Sequence, residues 1–228
     1  MSITSNEDTV TRVYDAIKQN VIQCVYDPGD RLNIERIADS LSVSATPVRE
    51  TFNRLVAEEL LELVPRIGFF MRPVVEGAVR ELYELNFALL NWAIEIAMAE
   101  DTSTLKVGQG KAHYRLVSSS RTEQTPELIA AQVGKMFHNL CLYSGNHELL
   151  ARIDNINDRL FYIRKVEASC SEQQGKKIEP LMTAIEEQDY ENARGLLSEY
   201  HNESLLVLRK VVNTLRMRGV KRPHAVPA

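Results

Sequence analysis

The chain changes texture near residue 75, and this break constrains its architecture more than any other feature. Before it the elements are short and punctuated by Pro28-Gly29, Pro47, Pro65 and Gly68. After it long helical patterns run with few breakers, and Pro73 to Gly77 reads as a linker. A length of 228 residues fits one large domain or two small ones, and 44% hydrophobic residues suffice for a packed core. Apolar stretches such as Phe87 to Met98 are too short to span a bilayer and carry Asn91 and Glu95. The opening MSITSNEDTV has neither a basic nor an apolar region, so no signal peptide and no membrane partner are expected. Cys24, Cys141 and Cys170 are odd in number and far apart, which predicts reduced thiols in a cytoplasmic protein. The net charge of −4 gives no global support for nucleic-acid binding, so any such site has to be local.

The first region reads as three helices and a hairpin. Val10, Val13, Tyr14, Ile17 and Val21 form one helical stripe. Asp27 to Asp30 is a turn. Asn33 caps a helix in which Ile34, Ile37, Ala38 and Leu41 share a face. Ser42-Val43-Ser44 has room only for a tight turn. Thr46 is expected to cap a third helix with Pro47 at its first position and Val48, Phe52, Leu55 and Val56 inward. Leu61 to Val64 and Phe69 to Arg72 are short strands around Pro65 to Gly68. This is the winged helix-turn-helix plan. On the third helix Thr46, Arg49, Glu50 and Asn53 share a face beside the apolar one. From a major groove, Arg reads guanine, Asn reads adenine and Glu accepts from cytosine, while Thr46 suits a phosphate. The alternative is a merely solvated face with Arg49 and Glu50 in surface pairs. The slight acidity of residues 1–75 favours that alternative, and the grouping of Arg31, Arg49, Arg54, Arg66 and Arg72 opposes it.

Residues 28–73 resemble the DNA-binding domain of GntR-type bacterial transcription regulators. The carriers are Pro28-Gly29 with Leu32, Val43-Ser44, Pro47-Val48-Arg49-Glu50, Arg54-Leu55, Gly68 and Arg72-Pro73-Val74. The resemblance implies DNA contacts from Arg31, Ser44, Thr46, Arg49, Arg54 and the wing around Gly68; Arg66 and Asn53 join them by position. Two departures matter. Ala45 stands where the family has an arginine, and Ile67 stands before the wing glycine where the family has another, with Arg66 one place earlier. An altered operator sequence is expected, with DNA binding retained.

The second region reads as six helices in an antiparallel bundle. They cover about 78–100, 103–119, 125–143, 147–168 and 174–187, and a last one that Asp189 caps. The first is expected to turn Leu82, Leu85, Leu89, Trp92 and Ile96 inward. The region resembles the FCD effector domain of the FadR subfamily in its six-helix form. Leu82-Tyr83-Glu84, Phe137-His138, Ser144-Gly145-Asn146, Ala184-Ile185, Asp189 and Ala193-Arg194 carry that likeness. The resemblance implies a divalent metal whose ligand positions map to Gly134, His138, Ile178 and Tyr200; only His138 is a ligand there, and His201 is about 100° further round its helix. The usual metal is therefore expected to be absent, and no cofactor is expected. Asn86, His138, Arg159, Tyr162, Arg164, Tyr200 and His201 are candidates for an apolar effector pocket, in which an arginine suits a carboxylate metabolite. Each also has a plainer reading as a core, surface or interface residue.

No nucleophile elbow, phosphate-cradling glycine loop, HExxH or CxxC pattern is present, which argues against an enzyme. The expected organisation is a DNA-binding domain at 1–73 with a loose tail at 1–8, a linker at 74–78, a helical effector and dimerisation domain at 79–215 and a basic, Pro-rich tail at 216–228. The expected function is a homodimeric transcription regulator, more readily a repressor, that reads an inverted repeat and answers a small molecule. The alternative is an effector-independent dimeric DNA-binding or adaptor protein with a degenerate sensor pocket.

Overall fold

The computed structural model describes residues 4–99, 125–170 and 172–221. The chain divides into two compact units, Met1–Val75 with Leu215–Ala228, and Glu76–Thr214. Among the described residues the order is α1 (Thr4–Ile22), β1 (Arg31–Leu32), α2 (Ile34–Leu41), α3 (Ala45–Ala57), β2 (Leu61–Val64) and β3 (Gly68–Met71). It continues as α4 (Glu76–Ala99), α5 (Pro126–Tyr143), α6 (His147–Cys170), α7 (Glu172–Glu186) and α8 (Tyr190–Lys221). The architecture is mainly α, with one small antiparallel sheet, whose first strand precedes the helix-turn-helix and whose other two follow it, and a helical C-terminal region. No helix of the described residues is long and apolar enough to cross a membrane. The helix expected at 103–119 lies outside the described residues.

In the first unit each boundary has a local cause. The Asn33 side chain accepts from the Arg36 amide at 2.9 Å and starts α2. Ser42 ends it in the left-handed region at φ 54°, while the Val43 amide reaches back to the Ala38 carbonyl at 3.0 Å. α3 opens earlier than expected. Ser44 takes the N-cap position, so Thr46 and Pro47 are the second and third helical residues. A proline there still costs no bond, because the first helical amides have no intrahelical acceptor. Val48, Phe52 and Leu55 are fully buried, and Thr51 joins them in place of the half-buried Val56. The Phe52 and Phe69 rings meet edge to face at 5.1 Å and join α3 to the sheet.

The sheet holds a strand that the sequence reading lacks. β1 pairs antiparallel with β3, Arg31 opposite Phe70 and Leu32 opposite Phe69, and β3 pairs in turn with β2, giving the order β1-β3-β2. The expected hairpin is therefore two strands of three. At the other extremes, the backbone is helical from Thr4, where a loose tail is expected, and α8 stays helical to Lys221, past the expected start of the tail at Arg216. The α8 stripe explains the second difference: Leu208, Val211 and Val212 are buried and carry the helix onward.

In the second unit Thr125 caps α5, Asn146 caps α6 and Asp189 caps α8 through side-chain oxygens. Gly145 sits at φ +64° after α5, where an L side chain is disfavoured. Val133, Phe137 and Leu140 of α5 pack with Ile153 of α6, Leu181 of α7 and Leu197 of α8. α4 turns a different face inward from the one expected. Val79, Tyr83, Asn86, Leu90, Ala93 and Ile94 are buried, whereas Leu85 is 49% and Trp92 42% exposed. α4 carries two apolar stripes offset by one residue, and both satisfy helical periodicity.

Candidate nucleic-acid interface and the buried polar cluster

The exposed face of α3 carries Thr46, Arg49, Glu50 and Asn53, because Val48, Thr51, Phe52 and Leu55 claim the other side. The β2–β3 turn stands beside it. A groove of about 620 Å³ runs between them, lined by Arg31, Asn33 and Glu35 together with Arg49, Arg66, Ile67 and Gly68. Gly68 sits at φ +133°, a conformation open in practice only to glycine. The Arg31 guanidinium passes over it so closely that an added Cβ would lie 3.4 Å from Arg31 Nε. Arg31, Arg49 and Arg66 are exposed, and none has a hydrogen bond or ion pair with another described residue. Ser44 is exposed and its side chain makes no capping bond.

Two of the expected arginines are committed elsewhere. Arg72 pairs with Glu59 at 2.7 Å. Arg54, expected among the DNA contacts, bonds Glu58 at 3.1 Å and lies on the Tyr14 ring at 3.6 Å. The Tyr14 hydroxyl and the Lys18 ammonium also donate to Glu58, at 2.7 and 3.0 Å. Burial pushes the Glu58 carboxyl upward, but the bonds from Tyr14, Lys18 and Arg54 outweigh it and hold the group below its usual range. This cluster ties α1 to α3, so Arg54 is part of the frame behind the reading helix. Sequence spacing places Arg54 near Arg49 but cannot show that Tyr14 comes beneath it.

In the helical unit only part of the expected pocket comes together. Arg164 is 2% exposed and donates through Nη1 to Asn157 Oδ1 at 2.8 Å, while Asn157 donates to the Gly134 carbonyl at 3.0 Å. Tyr83, Asn86, Glu167, Tyr200 and Ser204 are buried as well. The neighbourhood is electrostatically coupled. Burial raises the Tyr83 hydroxyl well above its ordinary value, and Glu167 and Tyr200 add to this. Burial pushes Tyr200 up to about 12 against the pull of Arg164. Both phenols stay neutral. Arg164 Nε and Nη2 and Asn86 Oδ1 are buried without a partner among the described residues. Of this cluster the sequence reading includes Asn86, Arg164 and Tyr200, and lacks Tyr83, Glu167 and Ser204. Only the three-helix packing of α4, α6 and α8 singles those out.

The remaining candidates lie apart. His138 bonds Asp154 through Nδ1 at 2.7 Å, on a groove of about 410 Å³ that Gly134, Lys135 and Asn157 also line. His201 stacks on Phe87 with ring centres 4.4 Å apart, and burial lowers its pKa against the opposing charge of Glu84. Arg159 and Tyr162 are half-buried on α6. The four positions that resemblance assigns to a metal do not form a donor set: Gly134 and Ile178 offer no side-chain ligand, the Tyr200 phenol is held neutral, and His138 is turned to Asp154.

The profile of the gntR family of bacterial regulatory proteins matches residues 9–71, which hold the helix-turn-helix and the sheet. The Nta operon transcriptional regulator of Aminobacter aminovorans is 32% identical over 146 residues, covering 62% of this chain and 67% of that protein. The HTH-type transcriptional regulator YdhC of Bacillus subtilis is 26% identical over 153 residues, covering 66% and 67%. A GntR transcriptional regulator from Rhodococcus sp. RHA1 shares the fold at a TM-score of 0.65 and 16% identity, over 88% of this chain and 97% of that one. The two sequence relatives are named as regulators of transcription, and the residues that the family profile matches include the helices and strands that build the groove of Arg31, Arg49 and Arg66. The chain belongs to the gntR family of bacterial regulatory proteins.

Proposed function

We propose that this protein is a homodimeric, sequence-specific DNA-binding repressor, acting in the cytoplasm, whose helical unit is an FCD-type effector domain answering a small molecule. The groove between α3 and the β2–β3 turn carries the DNA reading: Arg31, Arg49 and Arg66 line it, exposed and without a carboxylate partner among the described residues. A duplex supplies the missing counter-charge. With α3 in the major groove, Arg49 reads guanine bidentately, Asn53 reads adenine, and Ser44, Thr46 and the backbone at Gly68 hold phosphates. A two-fold dimer then requires an inverted repeat with fixed half-site spacing.

The effector reading rests on the partnerless donors of Arg164 and the acceptor of Asn86 in the helical unit. A carboxylate metabolite matches such a guanidinium edge. These atoms are closed to water, so the ligand binds a more open state and shifts the population toward it. Operator affinity changes by the ratio of effector affinities for the two states. No metal enters this scheme.

The test is selection of fragments from sheared genomic DNA at about 150 mM salt, where the sequence-independent phosphate attraction is weakened. The wild-type protein recovers a short palindrome and the Arg49→Ala variant loses it. Equal enrichment by both proteins would remove α3 as the reading helix.

A further inference from the structure

The buried arginine of α6 is bonded to a side chain that lines a groove. Arg164 Nη1 donates to Asn157 Oδ1 at 2.8 Å, while Nε and Nη2 have no partner among the described residues. Helix geometry sets up this pairing. Seven residues make about two turns, and helical side chains lean toward the N-terminus, so Arg164 reaches back along α6 to Asn157. Asn157 in turn donates to the Gly134 carbonyl of α5 at 3.0 Å. It is half-buried and lines the groove of about 410 Å³ together with Ala130, Ala131, Gly134 and Phe161. At Gly134 no side chain stands over the Asn157 carboxamide, where an added Cβ would lie 3.7 Å from Asn157 Cγ.

Asn157 is a weak partner for a buried cation. An amide oxygen brings no charge, whereas a carboxylate spans two guanidinium nitrogens and neutralises them. Exchanging one for the other also satisfies a donor that is now buried and unpaired. The groove falls in the size range of small-ligand sites. Lys135 and the bond of His138 to Asp154 temper the two aspartates, Asp154 and Asp158, on its wall.

We propose that the α5–α6 groove admits the carboxylate ligand of Arg164, and that the Asn157 carboxamide is a stand-in which the ligand displaces. This rests on the effector reading above. Asn157 is thus a positioning residue. It holds the guanidinium while no ligand is bound, and its departure breaks a hydrogen bond that joins α6 to α5. Ligand binding is thereby coupled to the pairing of these two helices.

The probes are acetate, benzoate and succinate, with acetamide and benzamide as neutral matches. Each is added to the full chain up to about 20 mM at constant ionic strength, so that millimolar affinity registers as a rise in unfolding temperature. The carboxylates raise the wild-type midpoint and the amides do not. Asn157→Ala removes the internal competitor and lowers the half-saturating carboxylate concentration about tenfold. Asn157→Asp brings its own carboxylate to Arg164 and loses the response. A structural role alone would weaken the response in both variants together, and that result overturns the proposal. Gly134→Ala tests the groove without touching Asn157: alanine favours the helix, so the variant folds, and its methyl group raises the half-saturating concentration. A wild-type response that all three variants reproduce overturns the groove and Asn157 assignments and leaves the effector reading standing. If no carboxylate moves the midpoint of wild type or Asn157→Ala, both fall.

Discussion

Arg54 lies flat against Tyr14, its guanidinium carbon 3.6 Å from the ring centre, while its Nε bonds Glu58. Five arginines of the first unit thus fall into two groups. Arg54 and Arg72 are paired within the fold, and Arg31, Arg49 and Arg66 line one groove with no partner among the described residues.

Tyr14→Phe removes a hydroxyl that donates to a charged carboxylate and is expected to lower unfolding stability by about 1–2 kcal/mol, read by urea denaturation. Glu58 titrates below its usual range in the folded state. Its contribution is therefore fully present above its unfolded pKa and is lost as pH falls through the folded one. Glu58→Gln should flatten the acid side of the stability profile. A variant as acid-sensitive as wild type would contradict this.

Arg31→Ala and Arg66→Ala are each expected to weaken binding to all duplex sequences alike and to reduce the salt slope by about 1. Arg54→Ala is expected to leave the slope where it is and to lower stability instead. Titrations at three salt concentrations separate these outcomes.

Gly68→Ala forces a side chain onto a backbone at φ +133° and against Arg31. A loss of about 1–3 kcal/mol is expected from the backbone alone. The added Cβ only comes into contact with the end of the Arg31 side chain, so DNA binding should fall no further than the remaining folded fraction explains.

Arg164→Leu removes the buried guanidinium that shares the surroundings of Tyr83 and Tyr200 with buried Glu167 and is expected to cost about 3–5 kcal/mol. Adding Glu167→Gln should recover part of it. A double-mutant cycle by urea unfolding measures the coupling, and a coupling near zero would show that the two charges do not support each other.

Burial pushes the Cys141 thiol up to about 12, with Asp154 adding to the effect. At pH 8 the native protein should resist alkylation at Cys141 and accept it at Cys24 and Cys170, which are only half-buried. Mass spectrometry of the labelled protein checks this, and the contrast should vanish in urea.

Much of the candidate site was legible because its signals are local. Asn33 starting α2, the tight turn at Ser42, β2 at Leu61–Val64 and the glycine at 68 each follow from a few neighbouring residues. β1 was not legible. Two residues have no periodicity, and Arg31–Leu32 is a strand only because Phe69 and Phe70 come alongside. The inward face of α4 was misread for a related reason. Leu82, Leu85, Leu89, Trp92 and Ile96 make as good a stripe as Val79, Tyr83, Asn86, Leu90 and Ala93, and hydrophobicity alone prefers the former. Packing against α5 and α6 chose the stripe holding Tyr83 and Asn86, and it sets the Tyr83 hydroxyl in the field of Glu167 and Arg164.

By itself the sequence determined the order of the described helices and most of their turns, the winged helix-turn-helix and the face of α3 that carries Arg49. Those depend on capping, turn chemistry and periodicity, which act over a few residues. Tertiary structure alone decided which cations remain unpaired. Arg54 and Arg49 are chemically alike and five residues apart, yet Tyr14 and Glu58 reach only one of them. It also decided that His138 turns to Asp154 while Arg164 goes inward. Charge pairing and burial act between residues distant in the chain, so they become fixed only when the helices meet.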